Sequence, residues 1–125
     1  MELYELITRI ISQGGSRRGA LLMALSVRHP EILTFINIKR NNASINNANL
    51  SVEIDDEFMQ NVDINPEYTN IYNEIINAAW FSAEPGVIFK NRFDNYNLMQ
   101  YCDNYNIESC NACSEVPMPP HGACS

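Results

Sequence analysis

The sequence has few basic residues and no long apolar run. Lysine and arginine number 8 against 15 aspartates and glutamates, so the formal net charge at pH 7 is −7. Nucleic-acid binding needs a basic surface, so this charge argues against that class of function. No stretch reaches the roughly 18 apolar residues of a membrane span, and the N-terminus lacks the basic start of a signal peptide. The 125 residues have the length of one small domain.

Cysteine is absent from the first hundred residues. Cys102, Cys110, Cys113 and Cys124 all lie in the last quarter of the chain. Secreted domains held by disulfides spread their cysteines more evenly, so we expect a reducing, cytoplasmic location. Clustered cysteines there more often bind metal or take part in redox chemistry. One alternative is a zinc site made of three of these cysteines, Cys110, Cys113 and Cys124, with His121.

The first forty residues predict a helix, a strand and a second helix. The first helix should end near Gln13 and bury one face, because its apolar residues have helical spacing: Leu3, Leu6, Ile7, Ile10 and Ile11. The continuous apolar run 20–27 predicts a strand that is buried on both faces. Pro30 suits the first turn of a helix that should continue to about Lys39.

The following residues continue the alternation of helices and strands. Residues 49–54 alternate like a strand, Asp55 or Asp56 can cap a short helix, and residues 87–89 predict another strand. This order predicts an α/β fold with parallel strands joined by crossovers. The chain starts with a helix that has no strand before it, and it ends where the sequence becomes small and apolar. A piece of a larger α/β barrel would have both features.

Pro66 should begin the longest helix of the chain. Its apolar stripe has helical spacing and predicts core packing: Tyr68, Ile71, Tyr72, Ile75, Ile76 and Ala79. We expect Trp80 to anchor this stripe in the core. Residues 91–106 lose the pattern and predict a polar loop.

The most chemically informative stretch is Asn111-Ala112-Cys113-Ser114-Glu115. In an extended loop, the side chains of Asn111, Cys113 and Glu115 would point the same way. An amide can orient a hydroxyl, a carboxylate can take its proton, and a thiol can do nucleophilic or radical work. The pattern therefore fits a site for a small molecule, with a surface loop as the alternative.

This stretch resembles the active-site loop of ribonucleotide reductases, Asn-Pro-Cys-Gly-Glu, which is followed by a proline-rich run and Gly-Ala-Cys. Five segments that precede this loop also resemble segments of that family and occur in the same order: residues 13–20, 28–32, 47–52, 56–59 and 83–86. The forms Arg-Arg-Gly-Ala and Ala-Glu-Pro-Gly are most similar to the adenosylcobalamin-dependent class. The resemblance implies that residues 1–125 are part of a ten-stranded α/β barrel, with the active-site loop at residues 109–124.

The resemblance also implies roles for individual residues. Cys113 would carry a transient thiyl radical that takes hydrogen from the ribose 3′ carbon. Glu115 would act as the base on the 3′ hydroxyl, and Asn111 would hydrogen-bond the substrate hydroxyls. Cys124 would be one of two cysteines that reduce the 2′ position and end as a disulfide.

A second implied site is the effector loop at residues 13–19, which would relay the identity of a bound effector to the substrate site: Gln13, Gly14, Gly15, Ser16, Arg17 and Arg18. Glycines permit unusual backbone angles, and arginines contact phosphates or stack on bases. A solvated turn is the alternative. The implied cofactor is adenosylcobalamin, although its contacts cannot be assigned to residues of this chain. The implied partners are a ribonucleotide substrate, a nucleoside triphosphate effector, a thioredoxin-like reductant and the remaining parts of the barrel.

The chain departs from the family pattern in several ways. Ala112 replaces the usual proline and Ser114 the usual glycine. The second reductive cysteine lies upstream in the family, yet no cysteine precedes Cys102 here. Cys102 and Cys110 match no role. We therefore expect a fragment of a reductase catalytic subunit that is inactive alone. The alternative from another class is a non-catalytic protein that docks to a complementing reductase piece.

Overall fold

A computed structural model describes residues 1–13, 17–41, 45, 47–99, 101–102 and 105–122. Helices and strands alternate along the described chain. The elements are α1 (Glu2–Ile10), β1 (Ser12–Gln13), β2 (Arg17–Arg18), β3 (Leu21–Ser26), α2 (Ile32–Ile36), α3 (Ile38–Asn41), β4 (Ala48–Ile54), α4 (Asp56–Asn61), α5 (Pro66–Ser82), β5 (Gly86–Phe89), α6 (Lys90–Asn95), β6 (Ser109–Cys110) and β7 (Pro117–Met118).

The main sheet has three strands in the order β3–β4–β5, and both pairs are parallel. Leu21 pairs with Ala48 on one side of β4, and Ser51 pairs with Gly86 on the other. Parallel neighbours require crossover connections, and here α2 with α3 and α4 with α5 supply them. The predicted α/β order with parallel strands is confirmed.

The central strand β4 has two different faces. Leu50, Val52 and Ile54 are buried on one face and pack in the core with residues of the crossover helices: Ile32, Phe35, Ile36, Phe58, Ile71, Ile75 and Ala78. Side chains alternate across a strand, so Asn49 and Ser51 belong to the opposite face. The apolar face holds the domain together, which leaves the polar face available for other contacts.

The two helices that follow β4 begin at the predicted residues. The Asp55 side chain accepts a hydrogen bond from Phe58 N at 2.7 Å and caps α4. Asn65 caps α5 in the same way, and Pro66 occupies the first turn. Helix α5 ends at Ala83, whose φ is 59° and whose N–H donates to Ala79 O. These local signals are strong because each satisfies backbone groups that have no partner inside the helix.

An ion pair joins the carboxyl ends of β3 and β4. The Arg28 guanidinium donates from Nε to Asp55 Oδ2 at 2.6 Å and from Nη2 to Oδ1 at 2.9 Å. It also donates to the Tyr68 hydroxyl at 2.9 Å, which extends the link to α5. The hydrogen bonds from Arg28 hold the pKa of Asp55 below its ordinary value.

Helix α1 forms in the predicted segment but ends at Ile10 instead of near Gln13, which lies in β1, and the expected buried face is wrong. All five apolar residues of its stripe are exposed: Leu3, Leu6, Ile7, Ile10 and Ile11. The buried residue is Glu5, whose Oε1 accepts hydrogen bonds from Asn47 N and Nδ2, each at 2.8 Å. Periodicity identifies a face that can be covered, but it does not say that this chain covers it.

Two further elements differ from their predictions. Strand β3 is not buried on both faces, because Ala24 and Ser26, which point to the same face, are exposed. The helix expected up to Lys39 is interrupted at Asn37, which separates α2 from α3. Asn37 Nδ2 donates to Leu33 O at 3.1 Å and to Glu74 Oε2 at 3.0 Å. Such side-chain hydrogen bonds compete with regular helix.

The expectation for Trp80 is also wrong, since this residue is 92% exposed. The polar loop expected from residue 91 is wrong at its start, because α6 occupies Lys90–Asn95. Asn91 Oδ1 accepts a hydrogen bond from Asp56 N at 3.0 Å and joins α6 to α4. No helix within the described ranges is long and apolar enough to cross a membrane.

The Arg28–Asp55 pair should make stability depend on pH. Because the folded-state pKa of Asp55 is lowered, its contribution is present at neutral pH and is lost as pH falls below about 4. Asn keeps the capping oxygen but not the charge, so Asp55→Asn should cost about 1 kcal/mol at pH 7. Urea unfolding from pH 7 to pH 3 should show this difference shrinking. The control Asp63→Asn changes an exposed carboxylate, and an equal effect there would contradict the prediction.

A pair of substitutions on α5 separates core from surface. Ile75 is 4% exposed, so Ile75→Ala should lower the free energy of unfolding by roughly 2–5 kcal/mol. Trp80→Ala should change the free energy of unfolding by less than about 0.5 kcal/mol, because the exposed indole buries little surface. Chemical denaturation of both variants tests this, and a larger loss for Trp80→Ala would contradict the described packing.

Candidate active site

Residues 109–118 form a small hairpin that carries Cys113 at its turn. Strands β6 and β7 pair antiparallel, with Ser109 opposite Met118 and Cys110 opposite Pro117. The turn is closed by hydrogen bonds from Asn111 N to Val116 O at 3.1 Å and from Ser114 N to Asn111 O at 2.9 Å. The loop is therefore a tight turn rather than the extended segment that the sequence analysis assumed.

The turn brings Asn111 and Glu115 together. Asn111 Nδ2 donates to Glu115 Oε1 at 2.5 Å, and Asn111 Oδ1 accepts from Val116 N at 3.1 Å. The amide and the carboxylate that flank Cys113 in sequence are thus neighbours in space. A thiol, a carboxylate and an amide on one short turn can serve hydrogen transfer, proton transfer and hydroxyl binding on a small substrate.

Ser114 has the left-handed backbone conformation, with φ of 67°. This conformation costs a residue with a Cβ roughly 1 kcal/mol but is free of that penalty for glycine. The reductase pattern has glycine at this position, so the geometry gives a physical reason for it. Ser114 keeps the turn at an energetic cost.

A cleft of about 290 Å³ is lined on one side by the turn and on the other by the amino-terminal ends of β4 and β5. Cys113 and Ser114 line it from the hairpin, and Asn49, Ser51, Glu84 and Gly86 are among the residues that line it from the sheet. A Cβ on Gly86 would lie 3.2 Å from Ser51 Oγ, so glycine keeps this wall open. The volume of the cleft is close to the lower limit for ligand sites, which is roughly 300 Å³.

Glu84 lines the cleft and contacts two neighbouring elements of the fold. Its Oε2 lies 2.6 Å from Lys39 Nζ and accepts a hydrogen bond from Leu50 N at 3.1 Å. Glu84 thus links α3, β4 and the start of β5. Its contribution and that of Ser51 were not assigned from the sequence, although both lie in segments that resemble the reductases.

The cysteines differ in their surroundings. Cys102, Cys110 and Cys113 are free thiols in the described residues; Cys110 is buried, and the other two are exposed. Cys124 lies outside the described residues, so its proposed redox role and the zinc alternative that includes it stay predictions. Within the described ranges, no three His, Cys, Asp or Glu residues group as metal ligands would.

The predicted effector loop is partly described. Gln13 pairs with Arg17 in the antiparallel ladder of β1 and β2. Gly14, Gly15 and Ser16 lie outside the described residues, as do the side chains of Gln13, Arg17 and Arg18. Just beyond the ladder, a Cβ on Gly19 would lie 3.0 Å from Thr8 O, so glycine lets this segment approach α1 closely.

The chain matches one enzyme family along its length. The profile described as ribonucleotide reductase, barrel domain, matches residues 1–71 and 65–125. The chain therefore belongs to the ribonucleotide reductase barrel-domain family. The resemblance read from the sequence and the assignment to a reductase barrel are confirmed.

Two curated relatives show which kind of reductase this chain is similar to. A vitamin B12-dependent ribonucleoside-diphosphate reductase of Thermoplasma acidophilum is 33% identical over 142 residues, and one of Mycobacterium tuberculosis is 30% identical over the same length. Each match covers the whole of this chain but only 18% and 20% of the respective relative. The chain thus spans about a fifth of the length of these curated relatives.

A solved structure supports the same fold. The alpha subunit of the class Id ribonucleotide reductase of Actinobacillus ureae aligns with a TM-score of 0.80. The alignment covers 94% of this chain and 22% of that subunit, at 16% sequence identity. At this identity the likeness concerns the fold.

Ser114→Gly should stabilise the hairpin, because glycine adopts the observed φ of 67° without the Cβ penalty. We expect the free energy of unfolding to rise by up to about 1 kcal/mol. Ser109→Gly is the matched control, since Ser109 lies in strand β6, where glycine weakens the structure. Urea denaturation of both variants tests this, and a loss of stability with Ser114→Gly would contradict it.

Proposed function

We propose that this chain is the part of a ribonucleotide reductase catalytic subunit that carries the radical thiol. The observation that carries the proposal is the hairpin, in which Asn111 and Glu115 meet at 2.5 Å beside the exposed Cys113. The match of the reductase profile along the chain supports it. The reaction of the whole enzyme is the reduction of ribonucleotides to deoxyribonucleotides.

Each residue of the hairpin has a defined task in this proposal. The Cys113 thiyl takes the hydrogen atom from the ribose 3′ carbon, so an S–H bond forms and a carbon radical remains. Glu115 accepts the proton of the 3′ hydroxyl, and Asn111 holds the substrate hydroxyls by hydrogen bonds. The contact between Asn111 and Glu115 holds these two groups together on the turn that carries the thiol before the substrate binds.

The electrons of the reduction come from a pair of thiols. The 2′ hydroxyl leaves as water, and two cysteines are oxidised to a disulfide. At the end the 3′ hydrogen returns from Cys113 to the substrate, so the thiyl is regenerated. Cys124 is one of the two reductive cysteines in this proposal, and its partner belongs to another part of the enzyme. A thioredoxin-like protein then reduces the disulfide.

The proposed cofactor is adenosylcobalamin, since the relatives at 33% and 30% identity are named as vitamin B12-dependent. When bound, it supplies the radical chemistry that removes the hydrogen atom of a thiol. The exposed, unpaired Cys113 fits the role of that thiol. The cleft beside it, at about 290 Å³, fits a sugar-sized group but not a corrin ring. The residues that line this cleft are therefore not the ones that would hold the cofactor.

The remaining partners follow from the same proposal. Residues Gln13 to Arg18 form the loop that relays the identity of a bound nucleoside triphosphate effector to the substrate site. The β1–β2 ladder pairs the two ends of this loop. The other parts of the reductase barrel cover the exposed apolar stripe of α1. The cytoplasm is the proposed location.

A second candidate is a non-catalytic protein that docks to a complementing reductase piece. The exposed stripe of α1 favours it equally, because an apolar helix face needs a partner in either case. The two candidates differ in whether Cys113 reacts. Activity in a complete enzyme therefore separates them.

The direct test is a chimera in which this chain replaces the matching segment of the Thermoplasma acidophilum relative. We expect cobalamin-dependent formation of deoxynucleotides by the chimera and none by the isolated chain. Cys113→Ser should abolish the activity, because serine cannot form a thiyl radical. Product is measured by chromatography of the nucleotides.

The matched control is Cys102→Ser, which removes another exposed thiol and should leave the activity unchanged. A folded chimera without activity would contradict the catalytic proposal and favour the docking candidate. Equal activity in the Cys113→Ser and parent chimeras would exclude the radical role.

A further inference from the structure

We propose that Asn49 is a positioning residue that holds the Cys113 turn against the sheet. Asn49 Nδ2 donates a hydrogen bond to Ala112 O at 2.7 Å, and the two residues are 63 positions apart in sequence. Ala112 directly precedes Cys113, so the bond acts on the peptide next to the thiol. This inference rests on the proposed function in one respect, namely that Cys113 is the reacting thiol.

The anchor of this hydrogen bond is rigid. Asn49 is the second residue of β4, the central strand of the main sheet, and it pairs with Leu22 of β3. Its neighbours Ala48 and Leu50 are buried, whereas the Asn49 side chain lies on the opposite face. A donor on this strand therefore has a defined position relative to the cleft.

The other hydrogen bonds of the turn do not supply this link. Apart from the bond from Asn49, the hydrogen bonds seen at positions 111–116 among the described residues stay within the turn. They join Asn111, Ser114, Glu115 and Val116 to one another. They define the shape of the turn but not its place on the sheet. Lys90 Nζ donates to Ile107 O at 2.6 Å and holds the base of the hairpin, whereas the bond from Asn49 connects the turn itself, beside the thiol, to a separate element.

An amide suits this task better than a charged donor. It donates to a carbonyl oxygen and adds no further charge to the turn that carries Cys113. The chain is rich in asparagine, and neither composition nor periodicity distinguishes Asn49 from the others. The contact with Ala112 does.

The test measures the reactivity of Cys113 in the whole 125-residue chain. Wild type and Asn49→Ala are treated with iodoacetamide, and alkylation of Cys113 and Cys102 is followed by mass spectrometry of their peptides. We expect Cys113, which is exposed but also lines the cleft, to react up to roughly five-fold faster in Asn49→Ala, because loss of one ordinary hydrogen bond lets the turn move away from the cleft wall. Cys102 should react at the wild-type rate and serves as the internal reference.

Two further variants make the result specific. Asn49→Gln keeps an amide donor and should restore a rate close to that of wild type. Asn77→Ala removes an exposed asparagine on α5 and should leave both cysteines unchanged. Urea unfolding is recorded for each variant, because a positioning role predicts that the free energy of unfolding falls by no more than about 1 kcal/mol, which is the five-fold factor expressed as a free energy.

Three results would overturn the proposal. The first is a Cys113 rate unchanged in Asn49→Ala. The second is equal acceleration in Asn49→Ala and Asn49→Gln, which would exclude the amide donor as the cause. The third is parallel acceleration of Cys102 with a lower free energy of unfolding, which would indicate general destabilisation. None of these measurements needs reductase activity, so this proposal and the proposed function can fail separately.

Discussion

The rest of the structure depends on the two-sided character of strand β4. One face places Leu50, Val52 and Ile54 in the core against the crossover helices. The other face presents Asn49 and Ser51 to the cleft beside the Cys113 turn. Both faces are set by one register, because a shift by a single residue would exchange them. The strand that builds the core therefore also defines the position of the candidate site.

Charged side chains hold the ends of the strands on which the site depends. Arg28 joins Asp55 and Tyr68 at the carboxyl ends, and Lys39 joins Glu84 near the amino-terminal ends. The second pair matters more for the candidate site, since Glu84 lines the cleft and also accepts from the backbone of β4. Strand ends are where a sheet opens most easily, so these links keep the cleft walls in place.

Local signals in the sequence predicted a large part of this arrangement. Asp55 and Pro66 mark helix starts by satisfying or removing backbone donors, and such effects involve only a few neighbouring residues. The same reasoning was wrong about Trp80 and about the face of α1, because burial depends on what lies opposite in space. It was also wrong about the helix through Asn37, where hydrogen bonds to Leu33 O and the distant Glu74 compete with helix geometry.

The sequence by itself determined the order of helices and strands and the chemistry of the Asn111–Glu115 segment, and its resemblance identified the reductase family. These features rest on neighbouring residues, on regular spacing and on a recognisable pattern. The tertiary structure decided that Asn111 contacts Glu115 through a tight turn, and that Asn49 reaches Ala112 across 63 positions. It also left the apolar stripe of α1 exposed. A contact between distant positions has no period and no local propensity, so only the folded chain reveals it.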